Sequence, residues 1–130
     1  MIDYKNQSGL YLVTLNNEEF ISVNANDPRR AKTSIKVNRS NCKFGKAKDL
    51  QNREKNYWKV FREQNVNFIP LALMTEIDMA EKMVLKELNK YRVKGRTGMK
   101  NEWLENIDHI EVINIAYNIL IERKLTFKII

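Results

Sequence analysis

Cysteine and histidine are almost missing from this chain, with one of each among 130 residues. A single Cys42 excludes an internal disulfide and any cysteine-ligated zinc cluster. A single His109 excludes a multi-histidine metal centre, and its place just after the helix-capping residue Asp108 marks it as a structural first-turn residue. Long apolar runs are also absent. The longest, residues 68–74, falls far short of a bilayer span, and no signal-peptide pattern is present. These absences predict a reducing, cytoplasmic (intracellular) setting with no membrane partner. Glycine and proline are scarce, at four and two residues, and mark no linker, so a single domain over residues 1–130 is expected.

Acidic residues are missing locally. From residue 28 to residue 48 the chain carries Arg29, Arg30, Lys32, Lys36, Arg39, Lys43, Lys46 and Lys48 and no Asp or Glu. A second acid-free stretch carries Arg92, Lys94, Arg96 and Lys100. Together they more than account for the formal charge of +7 and predict a surface that tracks phosphates. Nucleic acid is the expected partner, DNA ahead of RNA.

Hydrophobic residues make up 43% of the chain, enough for one core. Residues 9–15 read as a strand, Asn16 and Asn17 as a turn, and residues 18–23 as the second strand of a hairpin. Residues 24–33 read as a loop, and 34–37 and 41–44 as short strands. Asp49 caps a predicted helix over 50–64. Residues 66–74 form a buried strand in which Pro70 requires an edge or a bulge. Thr75 is expected to cap a helix to residue 91, with Asp78 as the acid of a capping box. Residues 92–101 read as a basic loop. Asp108 and Glu111 are spaced as a second capping box, opening a helix to about residue 123. That helix is apolar around most of its circumference, which suits either burial in the fold or a homodimer contact. The expected class is α+β, with a small central antiparallel sheet of about three strands flanked by helices.

Two helices carry polar residues where packing alone would not put them. At about 100° per residue, Ile77, Ala80, Val84, Leu85, Leu88 and Tyr91 share one arc, and Glu81 falls inside it. On the preceding helix Arg53 falls between Val60 and Tyr57. A desolvated lone carboxylate requires a metal, a cation or a proton. Arg53 and Glu81 therefore either pair with each other or line a shared polar cleft.

The order of motifs resembles the GIY-YIG endonuclease superfamily, in a phage or fungal-type branch with Lys-Phe-Gly-Lys as its second motif. Gly9-Leu10-Tyr11 is similar to the first motif. Lys43-Phe44-Gly45, followed by the helix bearing Arg53, is similar to the second, and the Gly45-to-Arg53 interval matches. Glu81, followed by Lys86-Glu87-Leu88-Asn89, resembles the glutamate helix, and Asn101-Glu102-Trp103-Leu104 resembles a Glu-Trp-Phe near the end of some members. The similarity covers residues 9–119. It departs from the pattern at Lys43, which stands where tyrosine is usual, and in a longer spacing between the first two motifs. The resulting basic insertion spans about residues 24–40.

The resemblance implies a metal-dependent endonuclease that hydrolyses DNA phosphodiester bonds. In that reading Tyr11 activates or orients the attacking water, Lys43 and Lys46 lower its pKa or hold the phosphate, and Arg53 grips phosphate oxygens. Glu81 holds one Mg2+ or Mn2+ ion, and Asn101 or Glu102 supports the site. A monomer or a homodimer fits equally well. The alternative is a non-catalytic nucleic-acid-binding module of the same fold.

Overall fold

The computed structural model describes residues 4–16, 20–22, 34–36, 42–94 and 100–129. Strand β1 (Gly9–Leu15) is its axis, buried at all seven positions. Leu, Tyr, Val and Thr dominate this strand, as a pleated surface covered on both sides requires. It pairs antiparallel with β4 (Cys42–Ala47) on one edge and β5 (Val66–Leu73) on the other.

The hairpin expected after Asn16-Asn17 does not form. The strand β2 (Phe20–Ser22) pairs instead with β3 (Ser34–Lys36) in a separate two-stranded sheet. Both edges of β1 are taken by strands from farther along the chain, which leaves β2 no place beside it. The remainder of the 24–40 insertion lies outside the described residues.

The main sheet runs β6-β7-β4-β1-β5-β8, all antiparallel. It is thus larger than the three strands expected, with five strands and a two-residue sixth, β8 (Lys128–Ile129), at one edge. The extra pair, β6 (Arg92–Lys94) and β7 (Lys100–Leu104), occupies the stretch read as a basic loop. Charge and glycine obscured its pairing signal. The Leu104 and Trp103 positions are what anchor it, opposite Cys42 and Lys43 of β4. Pro70 sits where the register between β1 and β5 shifts, so its missing N–H falls at a bulge.

Three helices cover the sheet among the described residues. Helix α1 (Leu50–Phe61) is capped by Asp49, whose carboxylate accepts the Asn52 N–H at 3.1 Å. It ends at Phe61, three residues before the predicted Gln64, and its C-cap Arg62 has a φ of 73°, in the left-handed region. The Asn65 side chain then donates to the Phe61 carbonyl at 3.0 Å, satisfying an orphan acceptor. Helix α2 (Ile77–Glu87) starts at Glu76 rather than Thr75 and has no side-chain cap. Asp78 points to Lys46 instead of closing a capping box. Helix α3 (His109–Glu122) opens on Asp108, which accepts the Ile110 N–H at 2.8 Å. Its Val112, Ala116 and Leu120 are buried, while Ile110 and Ile121 face outward.

Two apolar clusters lie on opposite faces of the sheet. Alternate residues of β1 decide which is which. Tyr11, Val13 and Leu15 pack with Leu50 and Tyr57 of α1 and with Trp103. Leu10, Leu12 and Phe44 pack with Ala80 and Val84 on α2, with Leu88 at its C-cap, and with Val112 and Ala116 on α3.

Candidate functional site

The β1–β4 register assigns each candidate residue to a face. Tyr11 lies opposite Gly45, Val13 opposite Lys43, and Leu10 opposite Lys46. Cross-strand partners point to the same face. Tyr11 and Lys43 therefore project toward α1, and Lys46 projects toward α2 and α3.

On the α1 face the structure brings Tyr11, Lys43 and Arg53 together around a residue not assigned to the site from sequence, Tyr57. The Tyr11 and Tyr57 hydroxyls are 2.9 Å apart. Arg53 Nη1 donates toward the Tyr11 oxygen at 3.5 Å. Lys43 Nζ sits 5.3 Å from the centre of the Tyr57 ring and 6.0 Å from that of Trp103, within cation–π range. The signal for Tyr57 was its position four residues after Arg53, which puts both on one helical face. It is also a core aromatic, buried beside Phe68.

Tyr11 is deeply buried among these groups. Burial pushes its phenol pKa up, and Tyr57 adds to the rise. Lys43 and Arg53 pull it down by less. The side chain is 0% exposed. Its hydroxyl is held by Tyr57 and Arg53.

On the α2 face Glu81 is buried at 8% exposure, within the arc of Ile77, Ala80, Val84 and Leu85. Its Oε1 lies 3.7 Å from Lys46 Nζ. The same ammonium donates to Asp78 Oδ1 at 2.5 Å, and Asp78, three residues before Glu81, is exposed. Its carboxyl is held below the ordinary carboxylate range, first by that hydrogen bond and then by the charge of Lys46. Arg53 and Glu81 thus have different partners rather than forming the ion pair that sequence left open.

The two faces meet at the end of β4. A cavity of about 320 Å³ there is lined by Lys46, Lys48, Asp49, Asn52, Arg53, Asn56 and Asp78, with Ala47 and Ile77. Strand β4 delivers Lys46, the short link to α1 delivers Lys48, and the first two turns of α1 deliver Asn52, Arg53 and Asn56. Three cations and two amides around an open cavity suit a phosphate group.

Arg92 is half-buried at the start of β6. Lys36, Lys94, Lys100, Asn101 and Glu102 are fixed only by their strand positions, on β3, β6 and β7. Arg29, Arg30, Lys32, Arg39 and Arg96 lie outside the described residues. Among the described residues no group of three or more His, Cys, Asp or Glu is placed to hold a metal. One buried carboxylate facing a cation is nonetheless compatible with Mg2+, which keeps most of its water. No described helix is long and apolar enough to cross a membrane.

The chain belongs to the T5orf172 domain family, whose model matches residues 14–120. This overturns the assignment to the GIY-YIG superfamily. The matched region begins after Gly9-Leu10-Tyr11, so the first of the short motifs behind that assignment contributes nothing to the match. No curated protein and no solved structure matches the chain.

Proposed function

We propose that this T5orf172-domain protein is a divalent-metal-dependent endonuclease that hydrolyses DNA phosphodiester bonds at the cavity beside Lys46 and Arg53. The observation that carries the proposal is Glu81. A carboxylate buried in the apolar arc of α2, with the Lys46 ammonium 3.7 Å away, is costly to place there for packing alone, and a role in holding a cation accounts for it. It stands next to a cavity whose polar lining favours phosphate.

In this reading Lys46, Lys48 and Arg53 receive the scissile phosphate. The planar Arg53 fork engages its oxygens, and the lysines act as point charges. Tyr57 and Tyr11 hold the guanidinium from behind through the 3.5 Å contact, fixing its plane before substrate arrives. Lys43 contributes positive potential from over the Tyr57 and Trp103 rings. Glu81 would hold a Mg2+ or Mn2+ ion, which when bound supplies charge neutralisation at the phosphate and the leaving oxygen. The basic stretches extend the contact along the backbone and lead to no particular base sequence.

The test is nicking of supercoiled plasmid in Mn2+, with wild type, Glu81→Ala and an EDTA control. Expected is nicking by wild type alone, with DNA binding kept by Glu81→Ala. Cutting by that variant at the wild-type rate refutes the role of Glu81.

A second reading is a module that binds nucleic acid without cutting it. It is favoured by the complete burial of Tyr11, which keeps that hydroxyl from solvent. Tight binding without nicking at high protein concentration selects it.

A further inference from the structure

Lys46 touches both the interior acid and a surface acid of α2. Its stem starts on the sheet face opposite Leu10, so its ammonium reaches outward past Glu81 to the cavity rim. At the rim it makes its shorter contact, 2.5 Å to Asp78, against 3.7 Å to Glu81. The two acids differ in what losing that cation costs. Glu81 is nearly buried, and moving a cation away from a buried charge is expensive. The Asp78 side chain is 85% exposed, and water replaces a lost partner at little cost. When an anion enters the cavity, Asp78 is therefore the partner that Lys46 gives up.

We propose that Asp78 is a latch on Lys46. It competes with the nucleic-acid phosphate for the same ammonium and so sets the affinity of the cavity. This rests on the reading of the cavity as the phosphate site. Asp78 lines the cavity, its hydrogen bond goes to Lys46, and the charge of Lys48 acts on it more weakly. It is a specificity-determining residue that disfavours weakly charged ligands: a dense polyanion displaces it, and a single carboxylate does so poorly.

The test is a double-mutant cycle read as DNA affinity. A short fluorescein-labelled duplex is titrated in EDTA, where no cleavage interferes, with wild type, Asp78→Asn, Lys46→Met and the double variant. Glu76→Gln, an exposed acid at the start of α2 with no side-chain cap bond, controls for bulk charge. Expected is a gain of about threefold to tenfold for Asp78→Asn, a clearly smaller change for Glu76→Gln, and loss of the gain in the Lys46→Met background. Three results overturn the latch: wild-type affinity for Asp78→Asn, a gain that survives intact without Lys46, or a gain matched by Glu76→Gln. Failure of the underlying reading looks different: Lys46→Met alone then leaves DNA affinity unchanged, so the cavity does not take phosphate and the latch falls with it.

Discussion

Gly45 lies flat against the phenol of Tyr11: a β-carbon at Gly45 would stand 2.6 Å from both Cζ and the hydroxyl oxygen. The approach is demanded by the register, which sets Gly45 directly opposite Tyr11 on the α1 face. The tyrosine cannot swing away, because it is fully buried between Tyr57 and Phe68. Gly45→Ala is therefore expected to overpack this cluster at a cost of about 1–3 kcal/mol. It should lower the thermal midpoint by several degrees and reduce cleavage through the displaced Tyr11–Arg53 contact. An unchanged melting curve would show that the packing here is looser than described.

Two buried acids of opposite faces predict weakness in alkali. Burial pushes the Cys42 thiol from its ordinary 9.0 up to about 12, with Asp108 adding to the rise, and it pushes the Tyr11 phenol upward as well. Between about pH 9 and 12 the unfolded chain releases the cysteine proton and the folded chain keeps it. The unfolded state is thus favoured as pH rises, by about 1.4 kcal/mol per pH unit for each such group. Below pH 9 neither group contributes. Stability measured from pH 8 to 11 should fall for wild type and fall less steeply for Cys42→Ala. Equal slopes for the two proteins would exclude Cys42 as a source.

Local chemistry made several elements legible in the sequence. A run rich in Leu, Tyr, Val and Thr marked β1 at its true bounds, and Asp49 and Asp108 cap the two helices they were expected to cap. The inward position of Glu81 also followed from periodicity alone. Long-range pairing was not legible. Nothing local says that β1 prefers Lys43 and Phe68 as strand neighbours to the nearby Phe20, because that choice depends on how much surface the completed sheet buries. The β6–β7 pair was hidden for a related reason, since its residues 92–101 are basic and its register is set by Trp103 and Leu104 against β4. The candidate site suffered the same limit. Helical faces identified Arg53 and Glu81, and Lys46 came in only with the short motif around Gly45, but the cross-strand register alone separates Tyr11 from Lys46 onto different faces.

The geometry at Arg53 distinguishes charge from shape. Its Nη1 reaches the Tyr11 oxygen while the residue also lines the cavity, so the fork is oriented before any ligand binds. Lysine keeps the charge and loses the plane. Arg53→Ala should lower the cleavage rate at least about tenfold, and Arg53→Lys should recover binding far better than rate. Single-turnover cleavage together with equilibrium binding separates the two effects. Wild-type rates in Arg53→Lys would reduce the guanidinium to a point charge.

Lys48 offers the cleanest measure of phosphate contact, because it is exposed, lines the cavity and sits outside both apolar clusters. Its loss should leave folding intact. Each phosphate neutralised by a cation releases condensed counterions, which gives a linear fall of log affinity with log salt. Lys48→Ala should weaken DNA binding about equally for unrelated sequences and reduce the salt slope by about one. The measurement is affinity across a salt series for two duplexes of different sequence. A loss confined to one duplex would mean that Lys48 reads a base, and an unaltered slope would remove it from the phosphate path altogether.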